Sequence, residues 1–290
     1  MSKKNLLNLF LLIVAATLAT LIYYSEETST ELERLTRIKP GTISTITIHH
    51  NKHETSFAKL ADGHWHIRQP LEIAANDFRV NSILKLLNAP VHKRYRSSEI
   101  DLEKIGLLNP DSVIIFDDIE IAFGITNPVT NLRFVRIGDA ISTIEDVYFP
   151  LFSSHFSTLV SLNLLPANDL PLSTIKKLIL LNQTISRDEA GSWQSNIDIS
   201  ADSINKTIDH WQYDQAFGVH QYLERKLLGE VFIYRDNTDC DEEVITYQVT
   251  DTDPWLILAR PEIGLEYHLD IEAYDNLITP QDSTEKNLND

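Results

Sequence analysis

Residues 62–87 read DGHWHIRQPLEIAANDFRVNSILKLL, and the change of period inside this stretch decides the fold. Around the tryptophan the pattern alternates. Trp65 and Ile67 point one way and His64, His66 and Arg68 the other, which is the two-residue period of a half-buried strand. Asp62-Gly63 just before it is turn chemistry. From Asp77 onward the period becomes helical: Val80, Ile83, Leu84 and Leu87 recur at i, i+3, i+4 and i+7 and form one apolar stripe. Asn76 is placed to cap that helix and Pro90 to end it. Upstream, in TISTITIHH (42–50), Ile46 and Ile48 face away from Thr45, Thr47 and His49, and Asn51-Lys52 turns the chain into a second strand. Runs of strands with a single helix among them spell an α+β fold, not a doubly wound parallel sheet.

The same order of signals recurs downstream. Gly63-His64-Trp65 matches Gly191-Ser192-Trp193, and Val91-His92 matches Val219-His220 at the same offset. TISTITIHH (42–50) lines up with TIKKLILLN (174–182), VIIF (113–116) with VFIY (231–234), LRFVRI (132–137) with LILARP (256–261), and EDVYF (145–149) with LEYHL (265–269). The shared order, more than any one match, indicates a diverged tandem duplication. In the second copy Asp202 is the expected cap of a helix whose stripe is Ile204, Ile208 and Trp211. Both tryptophans, set on strands, are expected in the core.

Residues 6–24, LLNLFLLIVAATLATLIYY, are apolar apart from Asn8 and the two threonines and close on Tyr23-Tyr24. At about 1.5 Å per residue such a helix spans roughly 28 Å, close to a bilayer's hydrocarbon thickness. Lys3 and Lys4 place its N-terminus in the cytoplasm. A cleaved signal peptide fits less well, because the run continues past Ala19 and Thr17 makes a poor cleavage position. The expected organisation is a stub and transmembrane anchor (1–24), a juxtamembrane stalk (25–41), two mostly antiparallel sheet-plus-helix units (42–165 and 172–278) and a disordered tail (279–290). Residues 166–171, PANDLP, form the seam. The expected location is the cytoplasmic membrane, single-pass, with the bulk of the chain in the periplasm or outside.

Of 25 basic and 42 acidic residues, only Lys3 and Lys4 precede residue 25, which leaves 23 against 42 beyond the anchor, a net of −19. That field excludes nucleic acid as a partner and favours a protein partner with a basic surface. Cys240 is the only cysteine, so no intrachain disulfide forms, and its acidic neighbours disfavour the thiolate.

Few residues suggest chemistry. His49, His50, His53, His64 and His66 crowd together in sequence. His49, His64 and His66 are the weak metal candidates, on one sheet face if the strands pair in that register, although no carboxylate or cysteine completes the set. Asp236, Asp239, Asp241, Glu242 and Glu243 lack the alternating oxygens and central glycine of a calcium loop. No nucleophile elbow, zinc-protease helix or phosphate-cradling loop is present. No catalytic residue and no cofactor is expected.

The stretch 62–87, followed by IGLLNPDSVIIF, FGITNP, LRFVRI and DVYF, resembles the domain of unknown function 4340 (DUF4340) family of bacterial envelope proteins. The matching positions include Gly63, Trp65, Pro70, Ala74, Val80, Leu84, Gly106, Leu107, Pro110, Gly124, Val135, Arg136, Val147 and Tyr148. The family pattern sets an acidic residue directly after the alanine that follows the helix-leading strand, whereas here Ala75 and Asn76 intervene before Asp77. The resemblance implies an N-terminal anchor and an envelope location, and some relatives look like companions of membrane transport systems. It carries no catalytic residues. The expectation is therefore a membrane-anchored, non-enzymatic interaction or accessory protein, bound to the bilayer through residues 6–24. The alternative is a solute- or cell-wall-binding module using the cleft between the two units.

Overall fold

A computed structural model describes residues 3–25, 32–165, 175–235 and 243–281. The chain opens with helix α1 (Lys3–Ser25). Over residues 10–20, where its side chains are described, Phe10, Leu11, Leu12, Ile13 and Leu18 are all exposed. Among the described residues no helix is long and apolar enough to cross a membrane, so the span over 6–24 stands on the sequence.

The rest is α+β, built on two antiparallel sheets. The first unit runs β1 (Thr45–His50), β2 (His53–Lys59), β3 (Trp65–Gln69), β4 (Ile73–Ala74), α2 (Asp77–Leu84), β5 (Lys93–Arg96), β6 (Ser112–Phe116), β7 (Ile119–Thr126), β8 (Leu132–Ile137) and β9 (Ala140–Glu145). The second runs β10 (Ile175–Ile179), β11 (Thr184–Arg187), β12 (Trp193–Ser195), α3 (Ala201–Tyr213), β13 (Gly218–Gln221), β14 (Gly229–Arg235), β15 (Glu243–Asp251), β16 (Trp255–Arg260), β17 (Leu265–Asp270) and α4 (Ala273–Leu277). The sheet orders are β4-β3-β2-β1-β6-β7-β8-β9-β5 and β12-β11-β10-β14-β15-β16-β17-β13. Apart from β4 they are the same order, including the excursion of the post-helix strand to the far edge.

Register ties the two sheets together. Ile46 pairs with Phe57, and Phe57 with Ile67, two residues beyond Trp65. Leu178 pairs with Ile185, and Ile185 with Ser195, two residues beyond Trp193. The tryptophans are therefore equivalent, and so are the cations above them: Lys59 pairs with Trp65 and lies 6.0 Å from its ring, Arg187 pairs with Trp193 at 4.6 Å. Their burial differs, since Trp65 is buried and Trp193 only partly so.

The later matches need correction. Ile46 faces Phe116 and Leu178 faces Ile233, so 113–116 correspond to 230–233, one residue from the sequence alignment. The closing pairs Ile137–Ala140 and Arg260–Leu265 set 132–137 on 255–260, and β9 on β17, so EDVYF is no counterpart of LEYHL. A one-residue slip flips every side chain to the other face. These strands carry apolar residues on several successive positions; their turn glycines, Gly138 and Gly264, close loops of different length, and Trp255 has only Leu132 as its counterpart, so neither marks the phase.

Helix α2 has the expected cap, Asn76 accepting the Arg79 N–H at 3.1 Å, and buries Val80, Ile83 and Leu84. It tightens into a 3-10 turn (Lys85–Asn88), still burying Leu87. Helix α3 is capped by Ser200, which accepts from the Ser203 N–H, and not by Asp202. Its stripe of Ile204, Ile208 and Trp211 is buried, with the Trp211 ring 5.7 Å from Tyr247 of β15.

Residues 33–36, expected as part of a stalk, belong to the first unit. Leu35 is buried, and the Leu35 and Thr36 N–H groups donate to Ala89 and Leu87. The second unit repeats this device with residues that follow the first. The Ala216 N–H donates to the Leu162 carbonyl, Asn163 bridges Gln215, and the Tyr247 hydroxyl donates to the Leu164 carbonyl. A few residues earlier the same segment bonds the first unit, through Asn76 N–H to Leu159 and Ser161 N–H to Ala74. One core cluster accordingly runs from Leu35 to Ile278 through both sheets. A smaller cluster of Ile105, Leu107, Ala122, Phe134 and Ile141 fills the other face of the first sheet. There Gly124 is needed, because a Cβ would lie 2.2 Å from the Ile105 carbonyl oxygen. The 166–171 seam, Cys240, most of the 236–243 acidic loop and most of the 279–290 tail lie outside the described residues.

Candidate functional site

Asn51 and Lys52 form a two-residue turn, both with positive φ (48° and 68°), the twist that matches a tight hairpin. His50 and His53 are its closing pair. The segment 152–156 arrives after the last strand of the first unit and closes a pocket of about 510 Å³ against this hairpin. Its lining includes His50, His53, Glu54, Phe152, His155 and Phe156.

Hydrogen bonds set the state of two imidazoles. The Asn51 amide lies 2.9 Å from His50 Nε2, so that nitrogen accepts, and Nδ1 donates to Ser112 Oγ at 2.6 Å. Burial pushes the His50 pKa down; Asp111 opposes this and His53 reinforces it. His155 Nδ1 accepts from the Ser157 N–H at 3.3 Å. Burial also lowers its pKa, and His53 adds to the effect. Both rings are therefore neutral at neutral pH; the two His50 nitrogens are engaged by Asn51 and Ser112, and His155, whose Nδ1 accepts, carries its proton on Nε2 as a donor. Phenylalanines flank both: Phe149 lies 5.7 Å from His50 edge-on, and Phe156 lies 4.6 Å from His155. The two serine hydroxyls bonded by His50 and His155 belong to buried residues and meet the rings through Nδ1. That arrangement fixes ring orientation and leaves no exposed nucleophile on either ring.

The metal candidates do not converge. His49 lies 3.5 Å from Glu54. His66 pairs with Ala58, which pairs with Thr45, four residues along β1 from His49. His64 Nδ1 lies 2.6 Å from Asp77, whose other oxygen accepts the Trp65 N–H at 2.9 Å. Asp77 thereby clamps the start of α2 to the tryptophan strand. Among the described residues no three His, Cys, Asp or Glu side chains are grouped to hold a metal ion. His50 and His53 could be found from the Asn51-Lys52 turn, which makes them neighbours. His155 could not, because it joins them from a hundred residues away. The acidic loop shows only Glu243 among its described members, and that carboxylate pairs with Arg235 at 2.7 Å. The pocket lies within the first unit, not in a cleft between units.

A family model described as "Domain of unknown function (DUF4340)" matches residues 65–220, from the first tryptophan strand to the post-helix strand of the second unit. Neither the curated proteins nor the solved structures give a match. More than half of the chain is covered, and the chain belongs to this family.

Proposed function

We propose that this member of the DUF4340 family is a membrane-anchored, non-enzymatic interaction protein, an accessory part of a membrane or envelope complex whose folded units work outside the cytoplasm. The observation that carries the interaction reading is an aromatic patch on the second unit. Phe217 and Trp255 are 50% and 47% exposed and meet in a T-shape at 5.6 Å. The His268 ring lies beside both. Half-exposed aromatic rings in mutual contact are characteristic of protein interfaces. Asp270, which pairs with Trp255, and Asp253, two residues before it, are exposed, which suits a partner with a basic rim. The anchor is supported by residues 6–24 of α1, apolar on every side apart from Asn8 and two threonines, since such a helix belongs in a membrane or a large core.

Two experiments test this. A C-terminal alkaline phosphatase fusion is expected to be active, with an intact N-terminus on the mature protein; an inactive fusion, or a mature chain starting near residue 20–26, removes the anchored topology. A photo-crosslinker at Trp255 in the membrane-inserted chain should capture a discrete envelope protein, and should lose it on Phe217→Ala. The absence of any adduct refutes the interface. The imidazole pocket favours a second reading, a solute-binding module, which would show as slowed hydrogen exchange at the Asn51-Lys52 hairpin in the presence of ligand.

A further inference from the structure

The chain is strongly acidic, and Glu26, Glu27 and Glu31 follow the anchor, yet residues 33–39 and 93–96 hold six basic residues against one acidic, Glu33. Residues 33–37 and Arg94 enclose a concavity of about 390 Å³ lined by Glu33, Arg34, Leu35, Thr36, Arg37 and Arg94. Arg94 is held there: its Nη2 donates to the Arg34 carbonyl at 2.8 Å and its Nε lies 3.0 Å from Glu33. Among the described residues Arg34 and Arg37 make no ion pair, a state they share with Arg79, Arg96, Arg136 and Arg187, whereas Arg94 pairs with Glu33. Lys39, Lys93 and Arg96, near these residues in sequence, are exposed. Three guanidinium groups around one hollow, with a single half-committed carboxylate, make a receptor for a phosphate oxyanion.

Position says which phosphate. Seven peptide steps separate Ser25, the end of α1, from Leu32, at most about 25 Å of chain. The hollow can thus reach the headgroup layer on the side where the anchor emerges.

We propose that this arginine pocket seats the phosphate of an anionic phospholipid headgroup, and so fixes how the exported domain stands on the membrane. The inference rests on the anchored reading above. The net negative charge pushes the rest of the domain away from an anionic surface while the pocket is drawn to it. Attraction at one end and repulsion elsewhere orient the domain.

The test uses the full chain in phosphatidylglycerol and in phosphatidylcholine nanodiscs, with amide exchange measured across residues 32–39. Exchange should slow in phosphatidylglycerol by about fivefold for each engaged cation. Arg34→Gln with Arg37→Gln should then lose about 25-fold of that protection, with exchange in the second unit unchanged. Equal exchange in the two lipids overturns the proposal. So does equal protection by inorganic phosphate added to the chain in detergent, which would mark a site for free phosphate. A chain that fails to co-elute with either nanodisc refutes the anchor itself, at a step that precedes the exchange measurement.

Discussion

Glu266→Gln is the most informative single change in the second unit. The Glu266 side chain is 1% exposed. It takes two bonds from Arg225, at 2.5 and 3.0 Å, one from the Leu223 N–H at 3.0 Å, and lies 2.8 Å from His268 Nε2. Together these pin the 222–228 segment to the outer face of the sheet. Glutamine keeps the shape and can still accept from Leu223, but it leaves the Arg225 guanidinium without its counter-charge. Breaking a fully buried pair costs about 3–5 kcal/mol. Arg225 is 25% exposed, and water therefore screens part of the loss, giving about 2–3 kcal/mol at neutral pH. The effect must depend on pH. Burial works to raise the Glu266 pKa, but the bonds from Arg225, His268 and Leu223 outweigh it and hold the pKa below the ordinary value of 4.5. A lowered folded-state pKa gives stability that is present above the unfolded value and lost as pH falls through the folded one. The gap between wild type and variant should thus be widest at neutral pH and shrink below pH 4.5. Urea unfolding followed by tryptophan fluorescence measures the gap, and tryptic cleavage after Arg225 should speed up in parallel. A gap that is absent at neutral pH, or that persists unchanged in acid, refutes the account.

Trp65→Ala should cost about 3–5 kcal/mol, and Trp193→Ala clearly less because its ring is only partly buried, as denaturant midpoints would show. Gly124→Ala forces a methyl against the Ile105 carbonyl and should cost about 1–3 kcal/mol or more, with the loss read as a lowered melting temperature. His50 and His155 have depressed folded-state pKa values. Their contribution is full above the unfolded value near 6.5 and disappears as pH falls through the folded ones. Imidazole NMR titrations should place both midpoints below 6.5, and a midpoint above that value would contradict the burial argument.

The first half of each unit was legible because it carries punctuation. A turn glycine, a tryptophan and an N-cap lie in fixed order, and each restricts the backbone near its position. The second half has no marks that match between the copies: Gly138 and Gly264 close loops of different length, and Trp255 corresponds to a leucine. In VIIF and VFIY either phase buries two large apolar residues, and only the pairing of Phe116 with Ile46, across a long stretch of chain, selects one. The α3 cap was missed by two residues because Ser200 and Asp202 are both good caps, and the choice falls to where the preceding loop leaves the backbone. The pocket was half visible. Local turn chemistry brings His50 to His53, while His155 is placed by the path of the chain after β9, which no short-range pattern encodes. The arginine hollow was hidden for a related reason, since Arg34 and Arg94 become neighbours only because the supposed stalk packs against residues 87–89, just after α2.

The segment 159–164 gives its first bonds to one sheet and its later ones to the other. A gene duplicated end to end would ordinarily leave a seam at which the halves can be parted, shuffled or lost. Here the cut would fall inside a shared splice, stripping one copy of its closing contacts or the other of its opening ones. The two halves are thereby bound to a common evolutionary fate: each can drift in sequence, but neither can be inherited without the other.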